Sequence, residues 1–258
     1  MKQFLRQPRV TRIRGPILQL HLWTGLFLAL YLAVMCLSGS VLVFRNDLHE
    51  IFPPAPLGSG LPHPFGYRAT TWLLDLHDNL LTGQTGRRTN AAGAVLVFLL
   101  TVTGAFVWWP GTGSWRRALV VDRRASWKRL NWTLHGALGV WVLLFLLMWT
   151  VSGFHLSFPL PLNAVAEWMA SFDEANPFRD AGDYLLYWLS YAHFGRFGGR
   201  VPGCGPACGS FFKALWALIA LAPVILAVTG ITIWYTRVPR PRAAREGLAR
   251  RGDTVSAP

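Results

Sequence analysis

Charge is scarce in this chain, and acid is scarcer than base. Of 258 residues, 14% are charged, with 12 acidic side chains against 25 basic ones. Four stretches, 17–44, 89–114 (apolar core 91–109), 130–166 and 214–236, contain no Asp, Glu, Lys or Arg at all. Each exceeds the roughly 20 residues that a helix needs to cross about 30 Å of hydrocarbon. A soluble globular domain is therefore excluded, and four transmembrane helices are expected. The first stretch is too long for a secretory h-region and lacks a clear small-x-small cleavage site, so it is read as a retained helix.

Other absences narrow the chemistry. There is no Gly-x-Gly-x-x-Gly on a strand–helix unit, which argues against a bound nicotinamide or flavin domain. The three cysteines do not form Cys-x-x-Cys-His, so covalent haem attachment is not indicated. Cys36 falls within the first apolar stretch and reads as packing. Cys204 and Cys208 lie in Pro-Gly-Cys-Gly-Pro-Ala-Cys-Gly on the expected outer side, where a disulfide is permitted. A metal or redox dithiol site is the alternative for that pair.

The net charge of +13 first suggests nucleic acid, but its distribution assigns it elsewhere. The N-terminus, the loop around 116–129 and the C-terminus hold 17 of the 25 basic residues and three acids, a balance of +14. The two intervening loops hold eight bases and nine acids, a balance of −1. This is the positive-inside pattern, and it places both termini in the cytoplasm. No nucleic-acid-reading motif is present, so no nucleic-acid partner is expected.

Against that apolar background, four histidines fall into matched positions. His21 and His135 each open His-x-x-x-Gly, with Gly25 and Gly139, and each precedes a Ser-Gly pair by 17 residues: Ser38-Gly39 and Ser152-Gly153. His77 and His193 each follow a Trp-Leu by five residues, counted from Trp72 and Trp188, and precede Gly83 and Gly199 by six. The second and fourth apolar stretches match as well, ending Thr103-Gly104-x-x-x-Trp108-Trp109 and Thr229-Gly230-x-x-x-Trp234-Tyr235. The chain is thus one all-α membrane domain over 1–258, built from a two-helix hairpin used twice. Repeat one spans about 17–110, repeat two about 130–237, and a basic cytoplasmic tail covers 238–258. Both copies start in the cytoplasm, so the repeat is parallel, with a pseudo-twofold axis along the membrane normal. The amphipathic runs 70–81 and 184–194, which carry His77 and His193, suit short interfacial helices on the outer side.

Depth decides which histidines can meet. His21 and His135 lie near the cytoplasmic ends of their helices, and His77 and His193 near the outer face. At ~1.5 Å per residue, inner and outer positions are too far apart to touch. Pseudo-symmetry instead brings equivalent residues toward one axis, giving an inner pair, His21 with His135, and an outer pair, His77 with His193. Two imidazoles facing each other across a symmetric interface suit axial ligation of haem iron, so two haem b groups are expected; zinc or copper binding, or a structural hydrogen bond to a neighbouring helix, are the alternatives. Gly25 and Gly139 would allow a flat ligand, or a neighbouring helix, to approach closely. His155 lies 20 residues after His135, matches Val41 in repeat one, and is an alternate outer ligand. His49 and His63 sit among turn residues of the first outer loop and read as solvated.

At these residues the chain resembles the PepSY-associated transmembrane proteins. The resemblance is carried by "LHLWTGLFLALYLAVMCLSGSVLVF", "LHDNLLTGQTG" with "TGAFVWWP", "LHGALGVWVLLFLLMWTVSGF", and "HFGRFGG" with "LAPVILAVTGITIWYTR". It implies a link to iron acquisition, and it includes di-haem reductases that pass electrons to ferric siderophores in the periplasm. It also implies that His21, His77, His135 and His193 match family histidines. The outer loops, about 45 to 50 residues each, leave no room for the extra domain that longer members carry there. The expected activity is a haem-b oxidoreductase taking electrons from membrane quinol or a donor protein and passing them to a ferric chelate. The basic inner loops could dock such a donor protein or anionic lipid, although topology alone explains them equally well. The alternatives are a non-catalytic subunit of an uptake system, and a metal transporter using His155, His49 and the cysteines.

Overall fold

In the computed structural model, residues 11–109, 115–170, 181–195 and 206–237 are described. Among them every regular element is helical: α1 (Thr11–Leu42), α2 (Arg45–Ile51), α3 (Phe65–Asn79), α4 (Gln84–Trp108), α5 (Trp115–Ala118), α6 (Trp127–Trp141), α7 (Leu143–Ser157), α8 (Leu160–Ala170), α9 (Ala181–Phe194) and α10 (Pro206–Arg237). The segments Ile13–Leu42, Gln84–Trp108 and Cys208–Arg237 are each long and apolar enough to cross a membrane. The two amphipathic runs of the loops form α3 and α9, as their patterning suggests.

The third apolar stretch departs from the single helix expected. It is two helices, α6 and α7, bent by 58° at Val142, and together they pass as one broken span. Val142 takes φ −99° and ψ 4°, off the helical basin. The turns before it contain Gly136 and Gly139, each costing a helix about 1 kcal/mol relative to Ala, so this is where the span is weakest. Backbone bonds still bracket the bend, from Val142 N–H to the Leu138 carbonyl and from Leu146 N–H to the Val142 carbonyl. Pro16 and Pro223, by contrast, lie inside helices that continue through them.

The packing follows the duplication. Within repeat one, α1 lies against α4; within repeat two, α6 lies against α10. Between repeats, α1 packs along α10 and α4 packs along α7. These two contacts are equivalent when the repeats are exchanged, as a pseudo-twofold relation requires. The short helix α3 sits on α1 and α4, and α9 sits on α7 and α8.

Side-chain placement is the inverse of that in a water-soluble bundle. Phe27, Leu30 and Leu144 are 78%, 76% and 75% exposed, facing outward where lipid would be. Small and hydroxylated residues fill the interior instead: Ser38, Ser40, Thr101, Thr150, Ser152 and Thr229 are buried, Ser152 completely. Lipid gives no hydrophobic gain for putting large apolar groups inside, so close backbone approach and satisfied hydroxyls hold the helices together. Each of these hydroxyls back-bonds to a carbonyl three or four residues earlier in its own helix, which keeps its polar atoms paired.

Candidate functional site: two histidine pairs between the repeats

The four matched histidines meet in two pairs, one ring from each repeat. The ring centres of His21 (α1) and His135 (α6) are 6.3 Å apart with an interplanar angle of 77°. Those of His77 (α3) and His193 (α9) are also 6.3 Å apart, with an angle of 63°. Ser38, which holds His77, lies 17 residues beyond His21 on α1, so the two pairs are separated by about 25 Å along the helix axis.

Every ring is fixed through Nδ1, and always to its own repeat. His77 Nδ1 bonds Ser38 Oγ at 2.8 Å, and His193 Nδ1 bonds Ser152 Oγ at 2.7 Å. His135 Nδ1 bonds Thr229 Oγ1 at 2.8 Å. His21 Nδ1 lies 3.1 Å from the Leu100 carbonyl and 3.3 Å from Thr103 Oγ1. The Ser-Gly and Thr-Gly pairs of the sequence are therefore the supports of the histidines, a role that the repeat pattern marks but does not by itself reveal.

These bonds set the tautomer. Ser38 Oγ is 2.6 Å from the Val34 carbonyl, Ser152 Oγ 2.7 Å from that of Met148, and Thr229 Oγ1 2.8 Å from that of Ile225. A carbonyl only accepts, so the single hydroxyl hydrogen goes to it, and the hydroxyl oxygen accepts from the imidazole N–H. For His21 the Leu100 carbonyl is itself the acceptor. All four rings thus carry their proton on Nδ1 and leave Nε2 as a bare lone pair. Among the described residues no Nε2 of the four makes a hydrogen bond.

The glycines of the same dipeptides clear space for the rings. A Cβ on Gly104 would stand 2.9 Å from His21 Cε1, and one on Gly39 would stand 3.1 Å from His77 Cε1. The matching distances in repeat two are looser, 3.3 Å from Gly230 to His135 and 3.8 Å from Gly153 to His193. The support and the clearance come from adjacent residues, one turning its hydroxyl to the ring and the next withdrawing its side chain.

Two buried asparagines complete the shells. Asn90 on α4 donates through Nδ2 to the carbonyls of His77 (2.9 Å) and Asp78 (2.8 Å), capping the end of α3. That end is a sharp reversal, in which Leu80 and Leu81 both take positive φ, 49° and 61°. Asn131, one turn before His135 on α6, donates to the Thr229 carbonyl at 3.1 Å. Neither residue stands out in the sequence, because a lone Asn in an apolar stretch has no partner until the helices are packed.

Burial keeps the outer rings neutral. Desolvation holds His77 below the usual histidine range, opposed by the Asp78 carboxylate and a bond to the Met35 backbone. Burial pushes His193 down to about 3, and the neighbouring His77 adds to the effect. A neutral ring with Nδ1–H donated and Nε2 free is the form that ligates a metal.

The inner pair opens on a cavity of about 360 Å³. His21, His135, Gly25, Gly139, Leu100 and Leu226 are among its lining residues. A Cβ at Gly25 or Gly139 would meet Leu100 or Leu226 at 3.6 or 3.9 Å, ordinary contact, so these two glycines widen the cavity and do not relieve a clash.

The fit of this donor set to haem follows from its geometry. Two coaxial imidazoles with each nitrogen about 2.0–2.1 Å from one metal atom have ring centres roughly 6.3 Å apart. Among the described residues, no group of three or more His, Cys, Asp or Glu could enclose a metal ion. Two histidines alone would leave the remaining positions of a metal to another group such as a macrocycle, and the inner pair borders a mostly apolar cavity lined in part by glycines.

The other candidate residues lie apart from the pairs. His155 is on α7, three residues past Ser152; its Nδ1 is buried without a hydrogen-bond partner, and it has no ring contact with His77 or His193 among the described residues. His63 is exposed, as expected, whereas His49 is half-buried with its Nε2 unpartnered; both pack on the Tyr67 ring, at 4.8 and 4.9 Å between centres. His63 Nδ1 also accepts from Ala55 N–H at 2.9 Å. Cys36 is free and Cys208 is disulfide-bonded, while Cys204 lies outside the described residues.

No match is found among curated proteins. The family model of the PepSY-associated TM region, however, matches residues 18–64 and 55–178, which include His21, His77 and His135 and more than half of the chain. A helical membrane protein with this match belongs to the PepSY-associated TM family.

Proposed function

We propose that this protein is a haem-b electron carrier of the bacterial inner membrane, with both termini cytoplasmic, that reduces a periplasmic ferric chelate with electrons from quinol or a donor protein. The observation that carries the reading is the equality of the two ring pairs: each has centres 6.3 Å apart, and each joins one histidine from each repeat. His21 and His135 would hold the inner haem, and His77 and His193 the outer one. Bound there, the two groups supply one-electron carriers near opposite ends of the span.

The chain's own contribution is positioning. Ser38, Ser152, Thr103 and Thr229 keep Nδ1 protonated and aimed, so that Nε2 is presented without reorganisation. Two histidines, one from each repeat, would hold the iron of each haem, a donor set that suits electron transfer rather than substrate binding at the metal. The acceptor would then be reduced at the outer surface, beside the helices that carry His77 and His193. The ferric chelate as acceptor rests on the family resemblance, and the orientation rests on the charge difference of +14 against −1 between the two sides.

Pigment content tests the reading directly. Protein purified from haem-replete cells should give oxidised-minus-reduced haem b bands and close to two haems per chain. A colourless protein from such cells would overturn it.

A further inference from the structure

Among the described residues, the inner cavity is lined by apolar, glycine and aromatic residues, Thr101, Thr133, the two histidines, and one charged side chain, Arg14. Arg14 stands seven residues before His21 on α1, hence about 10 Å nearer the helix start on nearly the same face. Its guanidinium donates to the Val107 carbonyl at the end of α4, which fixes the side chain at the cavity and leaves further N–H donors available. In repeat two, Lys128 stands seven residues before His135 on α6. The offset between Arg14 and Lys128 is 114 residues, the same as between His21 and His135 and between Gly25 and Gly139. Among the described residues neither cation is in an ion pair, and no acidic residue lines the cavity.

Membrane topology explains a cation near the cytoplasmic face. It does not explain a cation in the same register before both inner ligands, one of them lining the ligand cavity. A cation bordering an apolar cavity gains most from an anion brought by the occupant, through charge-assisted hydrogen bonds. The occupant proposed above for this mostly apolar cavity is a haem, which carries two carboxylates on one edge. We propose that Arg14 and Lys128, one from each repeat, anchor the two carboxylates of the tetrapyrrole held by His21 and His135, and so set which edge faces the cytoplasm. This rests on the haem reading above. Anionic lipid headgroups share the chemistry and the depth, so the test separates the two sources.

The test uses full-length protein, stripped of haem and titrated with haemin or haemin dimethyl ester in bilayers with and without phosphatidylglycerol. Absorbance reports uptake at the inner centre. Arg14→Gln with Lys128→Gln should weaken haemin binding about 10-fold or more, Arg14→Lys should retain most of it, and the ester should bind wild type and variant alike, in both bilayers. Equal haemin affinity in wild type and the double variant overturns the assignment. So does an effect that appears only with phosphatidylglycerol, which would give the cations to lipid. A wild type that takes up neither haemin nor its ester overturns the haem reading itself.

Discussion

Ser152 Oγ stands 2.7 Å from both His193 Nδ1 and the Met148 carbonyl, so a fully buried hydroxyl passes the orientation of α7 to the ring of α9. The same relay links Val34, Ser38 and His77 in the other repeat. Each half-site is therefore assembled within one repeat, and only the ring pairs join the two. Ser152→Ala removes the acceptor and frees the imidazole to rotate. Loss of such a support typically costs 10–100-fold in metal-centre affinity, or about that in function. The outer haem should be weakened or shifted in midpoint potential, with the inner one unchanged, as read by redox titration with optical detection.

The four glycine clearances form a graded series. Gly104→Ala places a methyl 2.9 Å from His21 Cε1, whereas Gly153→Ala places one 3.8 Å from His193 Cε1. The first must displace the ring or the helix; the second makes ordinary contact. Gly104→Ala should lose the inner haem, and Gly153→Ala should retain both. Equal behaviour of the two variants in haem content would contradict the steric account.

Asn90 ties α4 to the end of α3 through two hydrogen bonds, to the His77 and Asp78 carbonyls. Asn90→Leu leaves both buried acceptors unpaired, at about 1–3 kcal/mol each. The loss should fall on the outer centre first, seen as a lower melting temperature and selective bleaching of the outer haem. Asn131→Leu should instead weaken the inner one, through the freed Thr229 carbonyl.

Acid should destabilise the haem-free protein. Burial holds His77 below the usual histidine value of 6.5, and burial with the His77 neighbour pushes His193 to about 3. The unfolded chain then binds more protons than the folded one between those values. The neutral rings are fully compatible with folding above 6.5, and stability falls as the pH drops from there toward 3. Melting of the haem-free protein in detergent should shift down between pH 7.5 and pH 5. His193→Gln should flatten that dependence, because the group that titrates on unfolding is gone.

The sequence made some of this legible and hid the rest for physical reasons. Charge-free length gave the spans, and repeat spacing with helical rise sorted the histidines by depth. The short helices around His77 and His193 followed from amphipathic pattern. The bend at Val142 had only a weak local signal, Gly136 and Gly139, while the prolines that normally mark a break, Pro16 and Pro223, lie in unbroken helices. In a packed membrane bundle, neighbouring groups re-satisfy the backbone around a proline. The partners of the histidines were hidden for a related reason. A Ser or Thr in a membrane helix back-bonds to its own backbone whatever else it does, so Ser38, Ser152, Thr103 and Thr229 became supports only once the rings were placed beside them.

The central claim is that function pairs histidines between repeats, at a common depth. The most direct measurement is a redox titration of four single variants, each His→Ala, with both haem centres resolved by spectrum and midpoint. His21→Ala and His135→Ala should abolish or alter one and the same centre, and His77→Ala and His193→Ala the other. Loss of a common centre by His21→Ala and His77→Ala, the two histidines of one repeat, would contradict the account.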